Sequence, residues 1–197
     1  MRANREQLLA ALEVQGREHD AALADRTQRL RNVEPETGAA MGVLVRALNA
    51  QRVLELGTSN GYSTIWLGDA AQETGGRVLS VDLDQERGGQ AVQNIARAGL
   101  DGTVELRIED AGATIAELPA GWADFIFLDA ERPAYTSYWQ DLVRVLGRPG
   151  LLLVDNATSH AEEIAAFRAL AEADERVVVS LLPIGAGLLA IARRPAG

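Results

Sequence analysis

The sequence predicts an α/β fold in which helices cover both faces of a mostly parallel sheet. Apolar, strand-like runs alternate with helical stretches from about residue 51 onward, which is typical of βαβ units. The first of these runs is mostly aliphatic, which is typical of a strand buried on both faces of a sheet. It leads directly into a glycine-containing turn. The last two runs are joined by a short segment with proline and glycines, which predicts an antiparallel hairpin at one edge of the sheet.

The first 50 residues predict helices that pack on this sheet. Apolar residues recur at helical spacing between Arg5 and Leu30, interrupted by Gly16, and indicate one or two helices. Their apolar face is explained by core contact, by a dimer contact or by a lid over a site. A further helix is predicted over residues 39–49.

The sequence predicts a single domain, with N-terminal helices over about 1–50 and an α/β core over 51–197. Five runs predict parallel strands, and two more predict the closing hairpin. The seven runs cover residues 52–56, 77–81, 104–108, 124–128, 151–154, 176–182 and 188–192.

Composition narrows the function classes. The chain has 197 residues, of which 47% are hydrophobic, and a net charge of −9, so a basic face for nucleic acid is not expected. It has no cysteine, which excludes disulfides, thiolate metal sites and cysteine nucleophiles. No signal peptide and no apolar run long enough to span a bilayer are visible. We therefore expect a cytoplasmic protein with a small-molecule ligand.

Acidic residues stand at the ends of four of the predicted strands, and these ends should lie at one edge of the sheet. The acidic residues are Glu55, Asp82, Glu109 with Asp110, and Asp129. In open α/β sheets ligands bind at this edge, and an acid after the second strand accepts hydrogen bonds from a ribose diol. Each acid alone is also explained as a solvated or helix-capping residue.

The loop after the first strand discriminates between cofactors. It is Gly57-Thr58-Ser59-Asn60-Gly61, which lacks the middle glycine of a dinucleotide loop and the Gly-Lys-Ser/Thr ending of a P-loop. An acid close to the loop would repel a pyrophosphate but suits an ammonium or sulfonium group. The residues favour S-adenosylmethionine over NAD.

Hard oxygen donors end two further apolar runs. Asp129 follows residues 125–128, and Asp155 and Asn156 follow residues 151–154. Two carboxylates and an amide oxygen suit Mg²⁺ or a similar cation, whereas zinc would call for histidine or cysteine. The alternative is that these residues only form a turn and a cap.

Taken together, these segments resemble the metal-dependent catechol and caffeoyl-coenzyme A O-methyltransferases, class I enzymes that use S-adenosylmethionine. The resemblance implies a Rossmann-like methyltransferase fold with a seven-stranded sheet, a homodimer, and a divalent cation, such as Mg²⁺, on Asp129, Asp155 and Asn156. It further implies cofactor contacts from Glu55, Gly57, Thr58, Ser63, Asp82, Asp110, Ala111 and Asp129. The matching segments are Pro35-Glu36-Thr37-Gly38, Leu54-Glu55-Leu56-Gly57-Thr58-Ser59-Asn60-Gly61-Tyr62-Ser63-Thr64, Val81-Asp82-Leu83-Asp84, Ala98-Gly99-Leu100, Phe127-Leu128-Asp129-Ala130, and Asp155-Asn156 preceded by a Pro149-Gly150 turn.

The chain departs from the family pattern at three places, of which the first bears on catalysis. Arg132 stands where the family has a lysine, and arginine keeps its proton, so it positions or stabilises a phenolate but is a poor base. His160 is a candidate base, with a surface or helix-start role as the alternative. The family's glycine after Asp-Asn is missing, and Ala186 occupies a place where aspartate is common. Both changes are expected at the substrate mouth.

The sequence thus predicts an S-adenosylmethionine-dependent and metal-dependent O-methyltransferase for a small ortho-dihydroxy aromatic or similar chelating phenol. Asp129, Arg132 and His160 are its candidate catalytic residues. The alternatives are a metal-independent methyltransferase, a catalytically silent cofactor-binding relative, and an NAD-linked oxidoreductase. An aromatic wall of Tyr135, Tyr138 and Trp139 for a planar substrate is weighed against core packing of the same residues.

Overall fold

Strands and helices alternate along the chain in the order that the sequence predicts. The computed structural model describes residues 1–25 and 28–195. Its strands are β1 (Arg52–Leu56), β2 (Arg77–Asp82), β3 (Val104–Ile108), β4 (Ala123–Leu128), β5 (Leu146–Val154), β6 (Val177–Leu182) and β7 (Leu188–Arg193). Its α-helices are α1 (Ala3–Ala22), α2 (Pro35–Ala47), α3 (Tyr62–Thr74), α4 (Gln85–Arg97), α5 (Ala111–Glu117), α6 (Tyr135–Val145) and α7 (Ala165–Ala173).

The seven strands form one sheet in the order β3-β2-β1-β4-β5-β7-β6. Strands β1 to β5 are parallel, while β7 pairs antiparallel with both β5 and β6. The predicted fold class and the antiparallel edge hairpin are therefore confirmed. Strand order reverses between β1 and β4, and such a switch point leaves a crevice beyond the carboxyl ends of the strands.

Alternating side chains of the sheet feed two apolar cores, one on each face. In β1, Leu54 and Leu56 pack in the core that also holds Leu142 of α6 and Phe167 of α7. Val53 lies in the other core, which is covered by α1 to α4. Glu55 shares the face of Val53, since side chains two apart in a strand point the same way, and this puts its carboxylate under the start of α3.

Within the described residues, one α-helix precedes the connection to α2. Helix α1 runs through Gly16 to Ala22, and Leu8, Leu9 and Leu12 are buried. Core contact thus explains these three leucines. The helix is also tied to α3 by an ion pair in which Arg5 and Asp69, both about 1% exposed, approach to 2.7 Å.

Strand β5 begins earlier than the sequence predicts. The expected turn at Pro149 and Gly150 lies inside β5, which starts at Leu146. The pairing with β4 shifts register at this point, because Ala123 pairs with Leu146 and Phe125 with Leu151. The residues of β5 between these two pairs form an irregularity in the strand. The sequence analysis took Pro149 and Gly150 as a turn and therefore predicted the start of β5 too late.

In the described part of the chain, no helix is both long enough and apolar enough to cross a bilayer.

Candidate functional site

A cavity of about 740 Å³ opens at the carboxyl ends of β1, β2, β4 and β5. The segments that follow these strands contribute Gly57, Asp82, Asp129 and Asp155 to its wall. The topology thereby brings together side chains that are up to about a hundred residues apart in the sequence. Of the strand-end acids named in the sequence analysis, all but Glu55 line this cavity together with the glycine loop; they are Asp82, Glu109, Asp110 and Asp129.

The glycine loop approaches the end of β4 closely. Gly57 has a φ of 104°, and a Cβ on it would lie 2.7 Å from the carbonyl carbon of Asp129. Only glycine fits such a conformation and such a contact. Gly61 has a φ of 84° and directly precedes α3, so the loop turns sharply, and Gly57, which has only backbone atoms, lines the cavity.

Asp82 is fixed by the same loop. Its Oδ2 accepts hydrogen bonds from the backbone N–H groups of Thr58 (2.9 Å) and Ser59 (2.7 Å), and its Oδ1 accepts one from that of Asp84 (2.9 Å). A carboxylate held in this way keeps unused lone pairs in a defined direction. Asp82 and Thr58 both line the cavity, as expected for residues at a ribose.

Glu55 lies beneath the cavity wall, and a direct contact between its carboxylate and a cofactor stays a prediction. Its side chain is fully buried and absent from the cavity lining. The carboxylate accepts hydrogen bonds from the hydroxyls of Ser63 (2.6 Å), Thr64 (2.5 Å) and Ser80 (2.6 Å). Burial raises the pKa of Glu55 to about 7, while the three hydroxyls act to lower it. Glu55 therefore positions Ser63, which does line the cavity.

The far end of the cavity is formed by the start of α5 and one side chain of α6. Asp110 caps α5 by accepting a hydrogen bond from the N–H of Ala113 (2.9 Å). Asp110, Ala111 and Tyr138 line this end. Asp110 thus fills the capping role proposed as its alternative while also facing the cavity.

Asp129, Asp155 and Asn156 form a contiguous cluster at the other end. The amide Nδ2 of Asn156 donates to Oδ1 of Asp129 (3.2 Å) and to Oδ2 of Asp155 (3.1 Å). Burial raises the pKa of both carboxyl groups, and the negative charge of Asp129 raises that of Asp155 further. Oδ1 of Asp155 is buried and has no hydrogen-bond partner within the described residues.

This cluster fits a hard cation in its donor types. Two carboxylates with raised pKa values and an unpartnered buried oxygen gain from a positive charge placed between them. Turning the amide of Asn156 by half a turn would present its oxygen to the same point. Within residues 1–25 and 28–195, no three His, Cys, Asp or Glu side chains cluster as a metal site, so the third protein ligand would have to be this amide.

Arg132 and His160 both line the cavity next to the cluster. The guanidinium of Arg132 forms an ion pair with Glu163 at 3.2 Å, and the Arg132 side chain is 12% exposed. Nδ1 of His160 lies 2.9 Å from Oγ of Ser159, which leaves Nε2 for other contacts. The structure thus brings the three candidate catalytic residues to one end of the cavity.

Several cavity residues were not found by sequence reasoning. The connection between α1 and α2 contributes residues 30–34, and the approach to α7 contributes Glu163. Ser59 Oγ donates to the carbonyl of Leu30 (3.0 Å) and fixes that connection over the glycine loop. The connection between α1 and α2 has no recognisable sequence motif. Only the lid alternative, considered for the apolar face of the N-terminal region, indicated that this region could contribute to the site.

Core packing, the alternative to an aromatic wall, is confirmed for two of the three aromatic residues. Tyr135 and Trp139 are buried and pack edge-on against Phe167, with ring centroids 5.7 Å and 5.4 Å apart. Tyr138 alone of the three lines the cavity. The residues of the β6–β7 turn, including Ala186, are likewise absent from the lining, although the sequence places them at the substrate mouth.

A family model described as O-methyltransferase matches residues 17–194 of the chain. The chain belongs to this O-methyltransferase family. The class I O-methyltransferase resemblance recognised in the sequence is thereby confirmed at the level of the family, and the NAD-linked oxidoreductase alternative is wrong.

Individual relatives agree with this family. The chain is 38% identical over 136 residues to "Catechol O-methyltransferase" of Niastella koreensis, covering 68% of this chain and 61% of that protein. It is 30% identical over 168 residues to "Probable caffeoyl-CoA O-methyltransferase 2" of Dictyostelium discoideum, covering 77% and 72%. Among solved structures, the O-methyltransferase from Bacillus cereus in complex with SAH is 25% identical, with a TM-score of 0.75 and coverage of 98% of this chain and 92% of that one. The O-methyltransferase fold predicted from the sequence is confirmed.

Proposed function

We propose that this O-methyltransferase transfers the methyl group of S-adenosylmethionine to a hydroxyl of a small ortho-dihydroxy aromatic, with a divalent cation at Asp129, Asp155 and Asn156. The observation that carries the proposal is the single cavity into which the glycine loop, Asp82 and this cluster all open. Cofactor and acceptor would lie side by side there, which is the arrangement that direct methyl transfer needs.

The glycine-loop half of the cavity suits the cofactor. The carboxylate of Asp82, held by the amides of Thr58 and Ser59, would accept hydrogen bonds from a ribose. Gly57 lines the cavity and leaves room beside it for the amino-acid end of the ligand. Ser63, Asp110 and Ala111 line the same half. The SAH complex of the Bacillus cereus relative supports this assignment.

The other half suits a chelating acceptor. A divalent cation bound there would stabilise the ionised form of a chelated hydroxyl, as cations do for bound water. Asp129 and Asp155 would supply the negative charge that holds the cation, and Asn156 a neutral oxygen. The catechol and caffeoyl-CoA names of two relatives support an acceptor of this class.

Two side chains of the protein would act directly on the acceptor, one by stabilising its negative charge and one by accepting its proton. The guanidinium of Arg132 is oriented by Glu163, so we assign it to positioning and stabilising a phenolate. His160 has Nε2 available near the cluster and is our candidate for accepting the hydroxyl proton. No covalent bond between enzyme and substrate is required.

Methyl transfer from labelled S-adenosylmethionine to a panel of catechols and hydroxycinnamates, with Mg²⁺ and with EDTA, tests the proposal. We expect methylated product with Mg²⁺ and none with EDTA. Equal activity in EDTA would establish the metal-independent alternative. Measurable SAH binding without product on any acceptor would favour the catalytically silent alternative or a different acceptor class.

We also propose a homodimer, on the basis of the family resemblance, and a cytoplasmic location, which the sequence analysis expects. Sedimentation equilibrium tests the first part: a homodimer has twice the 21.1 kDa of one chain, and a mass equal to one chain would contradict it. Fluorescence of a tagged chain in its host cell tests the second.

A further inference from the structure

The β6–β7 turn (residues 183–187) bonds to the segment that follows Asn156. Backbone N–H groups of Ala157, Thr158 and Ser159 donate to carbonyls of this turn: the first to Gly187 (2.8 Å), the other two to Ala186 (3.0 Å each). Three consecutive amides after a candidate ligand therefore depend on a turn about thirty residues later. The turn is not part of the cavity lining, and these three hydrogen bonds connect it to the segment after Asn156 instead.

Asn156 needs this support because of its backbone conformation. Its φ is 61°, in the left-handed region, which asparagine enters more readily than other residues with a side chain but at a higher cost than glycine. The chain reverses there, and the carbonyl of Asn156 accepts a hydrogen bond from His160 N–H (2.9 Å). An unusual conformation of this kind persists only where its surroundings determine it, and the carbonyls of the turn are those surroundings.

The turn itself is held tightly in place. A Cβ on Gly187, which has a φ of 93°, would overlap Oγ1 of Thr158 and lie 2.6 Å from its amide nitrogen. On the opposite side, a Cβ on Gly185 would lie 2.8 Å from Oε2 of Glu34. Oε2 of Glu34 also accepts a hydrogen bond from Ala186 N–H (3.3 Å). The turn is wedged between the start of α2 and the segment after Asn156.

We infer that the β6–β7 turn is a positioning element for the candidate cation site, holding Asn156 so that its side chain stays with Asp129 and Asp155. This inference rests on the proposed function, since it assigns a role toward the proposed cation. Gly187 is the residue that permits the close approach, and it acts through Asn156 without touching cation, cofactor or acceptor.

Gly187→Ala tests the inference, with Gly75→Ala as the matched control. Gly75 also has a positive φ (75°), but no atom lies within 4 Å of where its Cβ would be, and it ends α3 far from the cluster. Both variants strain a left-handed glycine, while only Gly187→Ala pushes on Thr158. Mn²⁺ affinity would be measured by electron paramagnetic resonance in the presence of SAH, and SAH affinity by calorimetry.

We expect Gly187→Ala to weaken Mn²⁺ binding by at least about tenfold, the size of effect that residues supporting metal ligands show. SAH affinity should stay within about twofold of the wild type, and Gly75→Ala should bind both ligands normally. Wild-type Mn²⁺ affinity in Gly187→Ala would overturn the positioning role alone. A wild-type protein that binds SAH but no Mn²⁺ would overturn the proposed cation site, and the inference with it.

Hydrogen exchange of the wild-type protein provides a second test that needs no folded variant. Mn²⁺ should slow exchange of the amides of Ala157, Thr158 and Ser159, because fixing Asn156 stabilises their bonds to the turn. Unchanged exchange of these amides in the Mn²⁺-bound protein would contradict the inference.

Discussion

Glu55 illustrates how one buried side chain organises the cofactor end of the site. Its carboxylate has no exposure to solvent and is surrounded by three hydroxyl groups, on Ser63, Thr64 and Ser80. Desolvation disfavours the ionised form more strongly than these hydrogen bonds favour it, which is why its pKa is raised to about 7. The residue that bonds the start of α3 to β2 is therefore also one that makes stability depend on pH.

The direction of that dependence follows from the raised pKa. A carboxyl with a pKa near 7 when folded and an ordinary value of 4.5 when unfolded stabilises the protein below pH 4.5, and this contribution is lost as pH rises through about 7. Between about pH 5 and pH 8.5 we expect a loss of about 2–3 kcal/mol from this group. Urea denaturation of the wild type and of Glu55→Gln in EDTA measures it as the change in their stability difference. Parallel pH profiles for the two proteins would contradict the prediction.

Asp155 is the residue on which the proposed cation most depends, because one of its oxygens is buried without a partner. We expect Asp155→Asn to weaken Mn²⁺ binding by about 100-fold or more and to abolish methyl transfer. SAH affinity should change by less than about twofold, since Asp82 and the glycine loop are left intact. Calorimetry with each ligand checks this, with Glu162→Gln as a control for a carboxylate outside the cavity. Full activity in Asp155→Asn would disprove the ligand assignment.

At the scale of elements, the N-terminal helix is held by buried charge as well as by apolar packing. Asp69 of α3 accepts hydrogen bonds from Arg5 of α1 (2.7 Å) and from Arg46 of α2 (2.7 Å), and its side chain is 1% exposed. Asp69 thus connects α3 to both α1 and α2, the two helices that precede the first strand. Removing one partner of such a pair leaves buried charge uncompensated.

Asp69→Asn should accordingly reduce the free energy of unfolding by about 3–5 kcal/mol. Glu73 is the matched control, because it pairs with the same Arg46 at 2.7 Å but is 53% exposed. Glu73→Gln should cost less than about 1 kcal/mol. Urea denaturation of both variants gives the comparison, and equal losses would show that burial of the Asp69 network does not matter.

At the scale of the whole molecule, the cavity combines segments from nearly the full length of the chain. Residues 30–34, the glycine loop, and the ends of β2, β4 and β5 all contribute to its wall. A ligand that bridges these segments binds only the folded protein, so its binding stabilises the whole fold.

We therefore expect SAH at about one hundred times its dissociation constant to stabilise the protein by about 2.7 kcal/mol. For a chain of this size, that raises the thermal midpoint by about 5–10 °C. Thermal unfolding with SAH, and with NADH as the control, provides the measurement. A shift with NADH and none with SAH would contradict the cofactor assignment.

The local pattern of the chain was sufficient for the architecture and for most of the cavity wall. Strands β1 to β4 and the closing hairpin follow from apolar periodicity, and the Gly57 turn from the conformational freedom of glycine. Asp82, Asp129 and Asp155 converge because the carboxyl ends of parallel strands meet at one edge of the sheet. Each of these inferences needs only neighbouring residues and a general rule of sheet topology.

Tertiary structure decided the features that depend on contacts between distant segments. It placed Glu55 beneath the wall, turned Tyr138 toward the cavity while burying Tyr135 and Trp139, and set the β6–β7 turn against the segment after Asn156. Which polar group is buried, and which backbone amide finds a partner, depends on long-range packing. The sequence by itself therefore determined the kind of site, and the packing of the folded chain determined which side chains reach it and which hold it in place.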